Sequence, residues 1–215
     1  MKILNLYAGI GGNRKLWGDE HEVTAVEYDE DTANVYKTLH PKDTIIVGDA
    51  HQYLLDHVHE YDFCWTSPPC PTHSKMRIVR GGHGDYVFPD MKLYEEILFL
   101  KHFYKGKWVV ENVIPYYEPL IEATKVDRHL YWSNFKISNF APTEKPNIEW
   151  ASIKDLEQIY GFDLSGIQAK GKNDKRKMLR NCVHPETGLH ILNCALNTVP
   201  KKAIHSLFDD SVIYL

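Results

Sequence analysis

The stretch "KILNLYAGIGG" (residues 2–12) joins a short apolar run directly to a turn that contains three glycines. The run has the length and composition of a buried β-strand. Gly9, Gly11 and Gly12 follow it at once, and glycine in such a turn lets the backbone pass close to a ligand. The same turn is also common where only tight packing is needed. Arg14 stands where the pattern G-x-G-x-x-G requires its last glycine, so a dinucleotide fingerprint is not met.

Four later stretches share the character of the first run, because they are short, β-branched or aromatic, and bounded by turn residues. Helical patterns over 29–41 and 90–104 fall between them. Strands that alternate with helices predict an α/β fold with a doubly wound, mostly parallel, Rossmann-like sheet. In such a sheet, ligands bind beyond the carboxyl ends of the strands. The four stretches are EVTAVE (22–27), DTIIVG (43–48), YDFCWT (61–66) and KWVVENV (107–113).

The length of 215 residues suits a single domain over 1–215, and 43% hydrophobic residues are enough for a substantial core. The alternation of strands and helices weakens after about residue 115. We therefore predict that 116–180 is a small elaboration on the sheet. The remaining stretch, 181–215, is predicted to return to the core.

Composition bears on the class of protein. No apolar stretch approaches the roughly 18 residues of a membrane helix, and the N-terminus lacks a signal-peptide layout, so we expect a cytoplasmic protein without membrane contact. The four cysteines form no C-x-x-C pair and the histidines fit no common ligand spacing, so no metal site is predicted. The net charge of −4 does not indicate nucleic-acid binding, although the stretch KGKNDKRKMLR (170–180) is strongly basic. Composition alone favours a solvated loop for this stretch.

Two acidic residues follow neighbouring strands. Glu27 ends the second strand, about where an acid would reach a ribose hydroxyl pair bound over the glycine turn. Asp49 follows the third strand, where a carboxylate could accept from an adenine amino group. Together with the glycine turn, these acids predict a nucleoside-binding rim. The alternative is that they are ordinary acids at helix N-termini.

A cysteine occupies the turn after the fourth strand, in TSPPCPTHS (66–74). Cys64 lies inside the strand and is the natural core cysteine, whereas Cys70 lies at the predicted ligand edge. The prolines within 68–71 stiffen the turn and fix where the sulfur points. A thiolate is a strong nucleophile, and its activation requires a lowered pKa.

The fifth strand delivers Glu111 to the same edge. A carboxyl group beside a thiol suits attack on a heteroaromatic ring, because the sulfur adds to a ring carbon while the acid protonates a ring nitrogen. The alternative is a glutamate that caps the following turn. Between the two residues, the glycine-rich and basic segment 75–86 is predicted to form a mobile lid.

In this order, the motifs resemble those of the DNA (cytosine-5) methyltransferases. NLYAGIGG is similar to the F-A-G-x-G-G turn of that family, SPPCPTHS resembles its P-C-Q-x-F-S loop, and ENV (111–113) matches its Glu-Asn-Val. Weaker likenesses are VEYDEDTANVYKTLHP (26–41), GDA (48–50), DRHLYWSNF (127–135) and LRNCVHP (179–185). The resemblance spans most of the chain and suggests a compact, phage-like member that acts in the cytoplasm of a bacterium or an infected host.

The resemblance implies a fold that uses S-adenosylmethionine as cofactor and a flipped cytosine in duplex DNA as substrate. Cys70 would attack C6 of the base, Glu111 would protonate N3, and Asn112 would shape the loop. Arg128 would support the base or its phosphate. The residues that would hold the methyl donor are Tyr7, Ala8, Gly9, Gly11, Gly12, Glu27, Tyr28, Asp49, Ala50, Pro69 and Asn181.

The chain departs from the family pattern in two important places. Pro71 replaces the usual glutamine of the cysteine loop. The interval from Arg128 to Asn181 is short, although the family normally holds a large recognition region there. We therefore expect low sequence specificity, a homodimer or a partner subunit. The basic stretch 170–180 is our candidate for the remaining nucleic-acid contact.

Other functions remain open from the sequence. The same chemistry could act on RNA, because the tRNA-methylating relatives keep the nucleophile loop and have modest recognition regions. A catalytically inactive protein that binds S-adenosylmethionine or nucleic acid is a further alternative. A nicotinamide oxidoreductase is disfavoured by the incomplete glycine pattern. The sequence also leaves open whether the protein belongs to a restriction-modification pair, protects phage DNA or is an orphan methylase.

Overall fold

A computed structural model describes residues 1–75, 88–145, 147, 150–167, 172–199, 203–205 and 212–214. The strands are β1 (Lys2–Leu6), β2 (Glu22–Glu27), β3 (Thr44–Val47), β4 (Phe63–Thr66), β5 (Lys107–Val113), β6 (Thr124–Val126), β7 (His129–Ser133), β8 (Ala203–His205) and β9 (Val212–Tyr214). The helices are α1 (Glu30–Leu39), α2 (Ala50–His57), α3 (Lys92–Phe103), α4 (Ile153–Tyr160), α5 (Lys172–Arg180) and α6 (Pro185–Leu196), with a 3₁₀ turn at Val58–Glu60.

Seven strands form one sheet in the order β3-β2-β1-β4-β5-β7-β6. The strands from β3 to β5 pair in parallel, whereas β7 runs antiparallel to β5 and β6 runs antiparallel to β7. The predicted doubly wound, mostly parallel sheet is therefore confirmed. The chain winds outward from β1 to β3 and then returns to place β4 on the other side of β1. This reversal opens a crevice between β1 and β4, where α/β sheets bind their ligands.

Both faces of the central strands are covered, which explains why their sequences are almost continuously apolar. On one face, Leu4 and Leu6 of β1 pack with Leu54 of α2 and Ile97 of α3. On the other face, a second cluster joins the sheet to helix α6. That cluster includes Ile3, Trp17, Val23, Phe63, Trp65, Val109, Ile191 and Leu192.

The segment after the glycine turn is held by a buried ion pair. Arg14 binds Asp43 with two contacts, Nε–Oδ2 at 2.8 Å and Nη2–Oδ1 at 2.9 Å. Tyr36 of α1 donates to the same carboxylate at 2.7 Å. Burial lowers the pKa of the adjacent His40 to about 4, so this ring is neutral at pH 7. The arginine that breaks the dinucleotide fingerprint therefore anchors the turn to the start of β3.

Several helix ends follow from the sequence. Asp29 caps α1 by accepting from the backbone N–H of Thr32. Ser152 and Asp155 form a reciprocal capping box at the start of α4, and Gly161 ends that helix with φ of +67°. The basic stretch is helical over 172–180 rather than a loop, and residues 170 and 171 lie outside the described residues. None of the helices in the described parts of the chain has the length and hydropathy needed to cross a bilayer.

Candidate active site

A cavity of about 1470 Å³ lies over the carboxyl ends of the central strands. The predicted site residues line it with the exception of Gly11, which packs against the side chains of Tyr36 and His40. The lining combines the glycine turn, the acids after β2 and β3, the cysteine loop after β4 and the end of β5. Its far wall comes from α5 and the segment that follows it. Groups far apart in the sequence thus face one space.

The glycine turn is shaped by specific contacts. The backbone N–H of Gly9, in the left-handed region at φ of +56°, donates to Oε2 of Glu27 at 2.9 Å. A side chain at Gly9 would meet no atom within 4 Å, so the cavity is open above this residue. A Cβ at Gly12 would instead overlap the carbonyl oxygen of Val183 and the side chain of Cys182. The turn therefore presents Gly9 to the open cavity and packs Gly12 against the far wall.

Tyr7 adopts φ of +54°, which is unusual for a residue with a side chain. Its hydroxyl donates to Oε1 of Glu96 at 2.6 Å. Burial and the charge of Glu96 raise the pKa of Tyr7, so the phenol stays protonated. Side chains held in strained backbone at a cavity are a recurrent feature of functional sites.

Glu96 is a functional candidate that the sequence reasoning missed. Its side chain lies on α3 with 0% exposure. Besides Tyr7, it accepts from Oγ1 of Thr66 at 2.7 Å and lies 3.1 Å from Nδ1 of His51. The carboxylate therefore joins the ends of β1 and β4 to the first turn of α2. A charged residue within the apolar stripe formed by Leu93, Ile97 and Leu100 was the available signal.

The acids of the predicted rim have structural contacts as well as cavity contacts. Glu27 accepts from the backbone of Asp29 at 3.0 Å through its second oxygen. Asp49 caps α2 by accepting from the N–H groups of His51 and Gln52. Both carboxylates still line the cavity. Tyr28 lines the cavity as well, and this residue is 80% exposed.

The cysteine loop is tied to the end of β5. The amide of Asn112 donates to the carbonyl oxygen of Pro68 at 2.9 Å, and this bond is buried. After Cys70, the backbone N–H groups of His73 and Ser74 donate to its carbonyl oxygen at 3.0 and 3.1 Å, which closes a turn. The tether from β5 and the turn together fix the position of the sulfur relative to Glu111.

The Cys70 thiol is protonated at neutral pH in this structure. Burial, and then the negative charge of Glu111, raise the pKa of Cys70, and the Arg128 guanidinium opposes them. This raised pKa of Cys70 is the opposite of the lowered pKa that activation of a thiol nucleophile requires. The physical reason is that the thiol is half-buried beside a carboxyl group, so its proton must leave when the site is engaged.

The carboxyl group of Glu111 is buried at the end of β5. Its Oε1 lies 3.5 Å from Nε2 of His129, a residue of β7 that the sequence reasoning passed over. Arg128, the preceding residue, donates through Nη2 to the carbonyl oxygen of Cys182 at 3.3 Å. The β6–β7 hairpin therefore supplies a partner for the acid and a link to the far wall of the cavity.

The far wall is positively charged. Arg176, Lys177 and Arg180 of α5 line the cavity together with Asp174. Asn181, directly after the helix, lines it as well. The predicted lid over 75–86 lies outside the described residues except for Lys75. The described residues contain no group of three or more His, Cys, Asp or Glu side chains placed to hold a metal ion.

Comparison with known proteins identifies the family. Residues 1–114 match the model of the C-5 cytosine-specific DNA methylase family. The chain belongs to this family. The matched part of the methylase contains the glycine turn, the acids after β2 and β3, Cys70 and Glu111. Its family and its fold imply S-adenosylmethionine as the methyl donor.

The chain is similar to solved structures of other proteins. A DNMT2 mutant from Spodoptera frugiperda is 29% identical and covers 52% of this chain and 35% of that chain, with a TM-score of 0.38. The chain thus spans about a third of the length of that structure. The methyltransferase EhMeth from Entamoeba histolytica is 9% identical, with a TM-score of 0.58 over 92% of this chain and 98% of that chain. This second likeness shows the fold alone. No curated protein matches the chain.

Proposed function

We propose that this methylase transfers a methyl group from S-adenosylmethionine to C5 of cytosine in DNA, through a covalent adduct with Cys70. The observation that carries the proposal is the convergence of Cys70 and Glu111 on the cavity that also contains the glycine turn. The buried bond from Asn112 to Pro68 supports it, because it holds the nucleophile loop against the strand that bears the acid.

The residues of the rim fit the proposed methyl donor. The exposed ring of Tyr28 offers an unoccupied face for an adenine base. Glu27 and Asp49 offer carboxylate oxygens for ribose hydroxyls and the adenine amino group. The open space above Gly9 leaves room for a ligand against the backbone. Asn181 would close the site from the far wall. Tyr7, Ala8, Gly12, Ala50 and Pro69 complete the lining, and Gly11 would act through the shape of the turn.

The proposed chemistry divides between two residues, Cys70 and Glu111. The Cys70 sulfur loses its proton to solvent and forms a bond to C6 of the base, while Glu111 gives a proton to N3. The electron pair that this addition places on C5 takes the methyl group, which bound S-adenosylmethionine supplies from a sulfonium centre. The C5 proton then leaves to solvent, N3 returns its proton to Glu111, and the sulfur–C6 bond breaks. Cys70 is regenerated as a thiolate.

Nucleic acid would enter from the α5 side. Cytosine in a duplex must be flipped out of the stack before sulfur can reach C6, at a cost of a few kcal/mol. Arg176, Lys177 and Arg180 supply positive charge at the cavity wall for the phosphates. Arg128 would support the base or a phosphate next to it. A second copy of the chain or a partner subunit would extend the recognition surface, because the interval from Arg128 to Asn181 is short.

The decisive experiment is bisulfite sequencing of DNA from cells that express the protein, which reports activity and target context together. We expect 5-methylcytosine with the wild type, none with Cys70→Ser, and wild-type levels with Cys194→Ser as the matched control. Normal methylation by Cys70→Ser would refute the covalent mechanism. A side-by-side assay with duplex DNA and tRNA decides the substrate, since transfer to tRNA alone would replace DNA by RNA in the proposal.

A further inference from the structure

The part of the cysteine loop that follows Cys70 is held to the segment after β5. The backbone N–H of His73 donates to the carbonyl oxygen of Cys70 at 3.0 Å, and the N–H of Tyr116 donates to the carbonyl oxygen of His73 at 3.1 Å. Ser74 forms an antiparallel bridge with Pro115. His73 is 1% exposed and does not line the cavity, so its side chain can affect the reaction only through the loop.

A chain of hydrogen bonds ends on the His73 ring. The backbone N–H of Leu120 donates to the hydroxyl oxygen of Tyr94 at 3.2 Å, and the Tyr94 hydroxyl donates to that of Tyr117 at 3.3 Å. The Tyr117 hydroxyl lies 2.6 Å from Nδ1 of His73. Because the Tyr117 oxygen accepts from Tyr94, its own proton is left for Nδ1. This order of donors assigns the proton of the imidazole to Nε2.

We infer that His73 is a positioning residue for Cys70: Nδ1 of its imidazole accepts from the Tyr117 phenol, and this bond holds the turn that begins at Cys70. The inference rests on the proposed function. His73 stands where the family pattern P-C-Q-x-F-S has phenylalanine, a side chain without a hydrogen-bond acceptor. The bond to Tyr117 is therefore a property of this chain and not of the pattern. Together with the bond from Asn112 to Pro68, it secures the loop on both sides of Cys70.

The surroundings keep both rings in the protonation states that this bond requires. Burial lowers the pKa of His73, and the negative charge of Asp90 opposes the shift, so the ring is neutral at pH 7 and Nδ1 can accept. Burial and the hydrogen bond from Tyr94 raise the pKa of Tyr117, so the phenol keeps the proton that it donates. The bond is therefore formed at the pH of an ordinary assay.

The first test measures single-turnover methyl transfer by His73→Phe, His73→Asn and Tyr117→Phe in the full chain, with the adjacent Tyr116→Phe as control. Phenylalanine keeps a ring at position 73 but removes the acceptor, and Tyr117→Phe removes the donor, so each should slow transfer by about tenfold. Asparagine places a carbonyl oxygen close to the position of Nδ1, so its rate should lie within about threefold of the wild type. The Kd for S-adenosylmethionine should stay unchanged in every variant, because His73 does not line the cavity.

Two outcomes of this comparison would overturn the inference. One is a wild-type rate in both His73→Phe and Tyr117→Phe. The other is an equal loss in His73→Asn and His73→Phe, since the site would then require a buried shape and not an acceptor. The double variant of His73→Phe and Tyr117→Phe should be no slower than the slower single variant, because both changes remove one bond. Losses that multiply would show that the two residues act independently.

The second test does not depend on turnover. The backbone N–H groups of His73 and Ser74 close the turn on the carbonyl oxygen of Cys70, so their hydrogen exchange, followed by NMR, reports how often the turn opens. We expect exchange to be about tenfold faster in Tyr117→Phe than in the wild type, and unchanged in Tyr116→Phe. Unchanged exchange in Tyr117→Phe would show that the phenol does not hold the turn. If the wild type transfers no methyl group to DNA or tRNA, the proposed function fails, while the exchange rates still decide whether this bond holds the turn.

Discussion

Replacing Glu96 by alanine tests the buried network that joins the ends of β1 and β4 to the first turn of α2. The change removes the acceptor of Tyr7 and Thr66, whose donors lie 2.6 and 2.7 Å from the carboxylate, and the partner of His51. The site has 0% exposure, so solvent does not replace the lost acceptor without rearrangement. Hydrogen bonds to a charged group contribute about 1.5–3 kcal/mol each, and the Tyr7 and Thr66 hydroxyls both lose their acceptor. We expect the free energy of unfolding to fall by about 4 kcal/mol.

The assay is urea unfolding followed by circular dichroism, with Glu95→Ala as the matched control. Glu95 is adjacent in sequence, its side chain is 61% exposed, and its Oε1 lies 3.8 Å from Nε2 of His51. Loss of an exposed carboxylate of this kind changes stability by about 0.5 kcal/mol or less. Equal losses in Glu96→Ala and Glu95→Ala would refute the claim that the buried carboxylate holds the strand ends together.

The same network predicts an effect on cofactor binding that is separable from stability. Tyr7 holds a strained backbone, and its hydroxyl has Glu96 as acceptor. Tyr7→Phe removes that single bond and keeps the ring, so we expect the Kd for S-adenosylmethionine to rise by about tenfold, or about 1.4 kcal/mol. Calorimetric titration measures it. In a double-mutant cycle, Tyr7→Phe and Glu96→Ala should couple, because each removes the bond between the Tyr7 hydroxyl and the Glu96 side chain. Additive effects would contradict the network.

Three further predictions follow from other contacts. Asp43→Ala leaves Arg14 buried without its two oxygen partners, so unfolding in urea should show a loss of about 3–5 kcal/mol, and a loss below about 1 kcal/mol would contradict the role of the pair. Asn112→Ala removes the hydrogen bond that holds the cysteine loop to β5. Single-turnover methyl transfer should therefore slow by at least about tenfold, while cofactor affinity stays constant. Unchanged transfer would show that this bond is dispensable. Because burial and Glu111 raise the pKa of Cys70, its alkylation at pH 7 should be slower than that of a free cysteine and faster in Glu111→Gln. Peptide-resolved mass spectrometry measures the rates, and a profile identical to free cysteine would be inconsistent with the site.

The central strands could be predicted because each one is a short apolar run with turn residues at both ends. The predicted bounds differ from the observed ones by a few residues, as for 61–66 against Phe63–Thr66. Strands β6 and β7 were not predicted, since they are short and join the sheet by antiparallel pairing, β7 with β5 and β6 with β7. Helix α5 was not predicted either, because a run of charges is compatible with a loop or with a helix that packs on one side.

The residues of the site also include some that the sequence could predict and some that it could not. Cys70, Glu27, Asp49 and Glu111 could be assigned to one edge because each lies near or just after the carboxyl end of a parallel strand. His129 could not, since only the register of β7 against β5 brings it beside the acid. A residue that only strand pairing brings to the site leaves no pattern in the local sequence. A residue at a strand end can be located from the apolar run that forms the strand.

The order of the strands explains the position of Cys70, the proposed nucleophile. The glycine turn after β1 and the acids after β2 and β3 lie on one side of the switch point, and the acid after β5 lies on the other. The loop after β4, which is adjacent to β1 and to β5, is the strand-end loop between these two halves. The proposed function needs this intermediate position, because Cys70 would attack a base close to Glu111 while the methyl donor lay against the glycine turn. Glu96 joins β4 to β1 on the donor side, and Asn112 joins the β4 loop to β5 on the acid side, so the position of Cys70 is fixed from both directions. Under the proposed function, loss of the Glu96 contacts should therefore change cofactor affinity, whereas loss of the Asn112 contact should change the transfer rate.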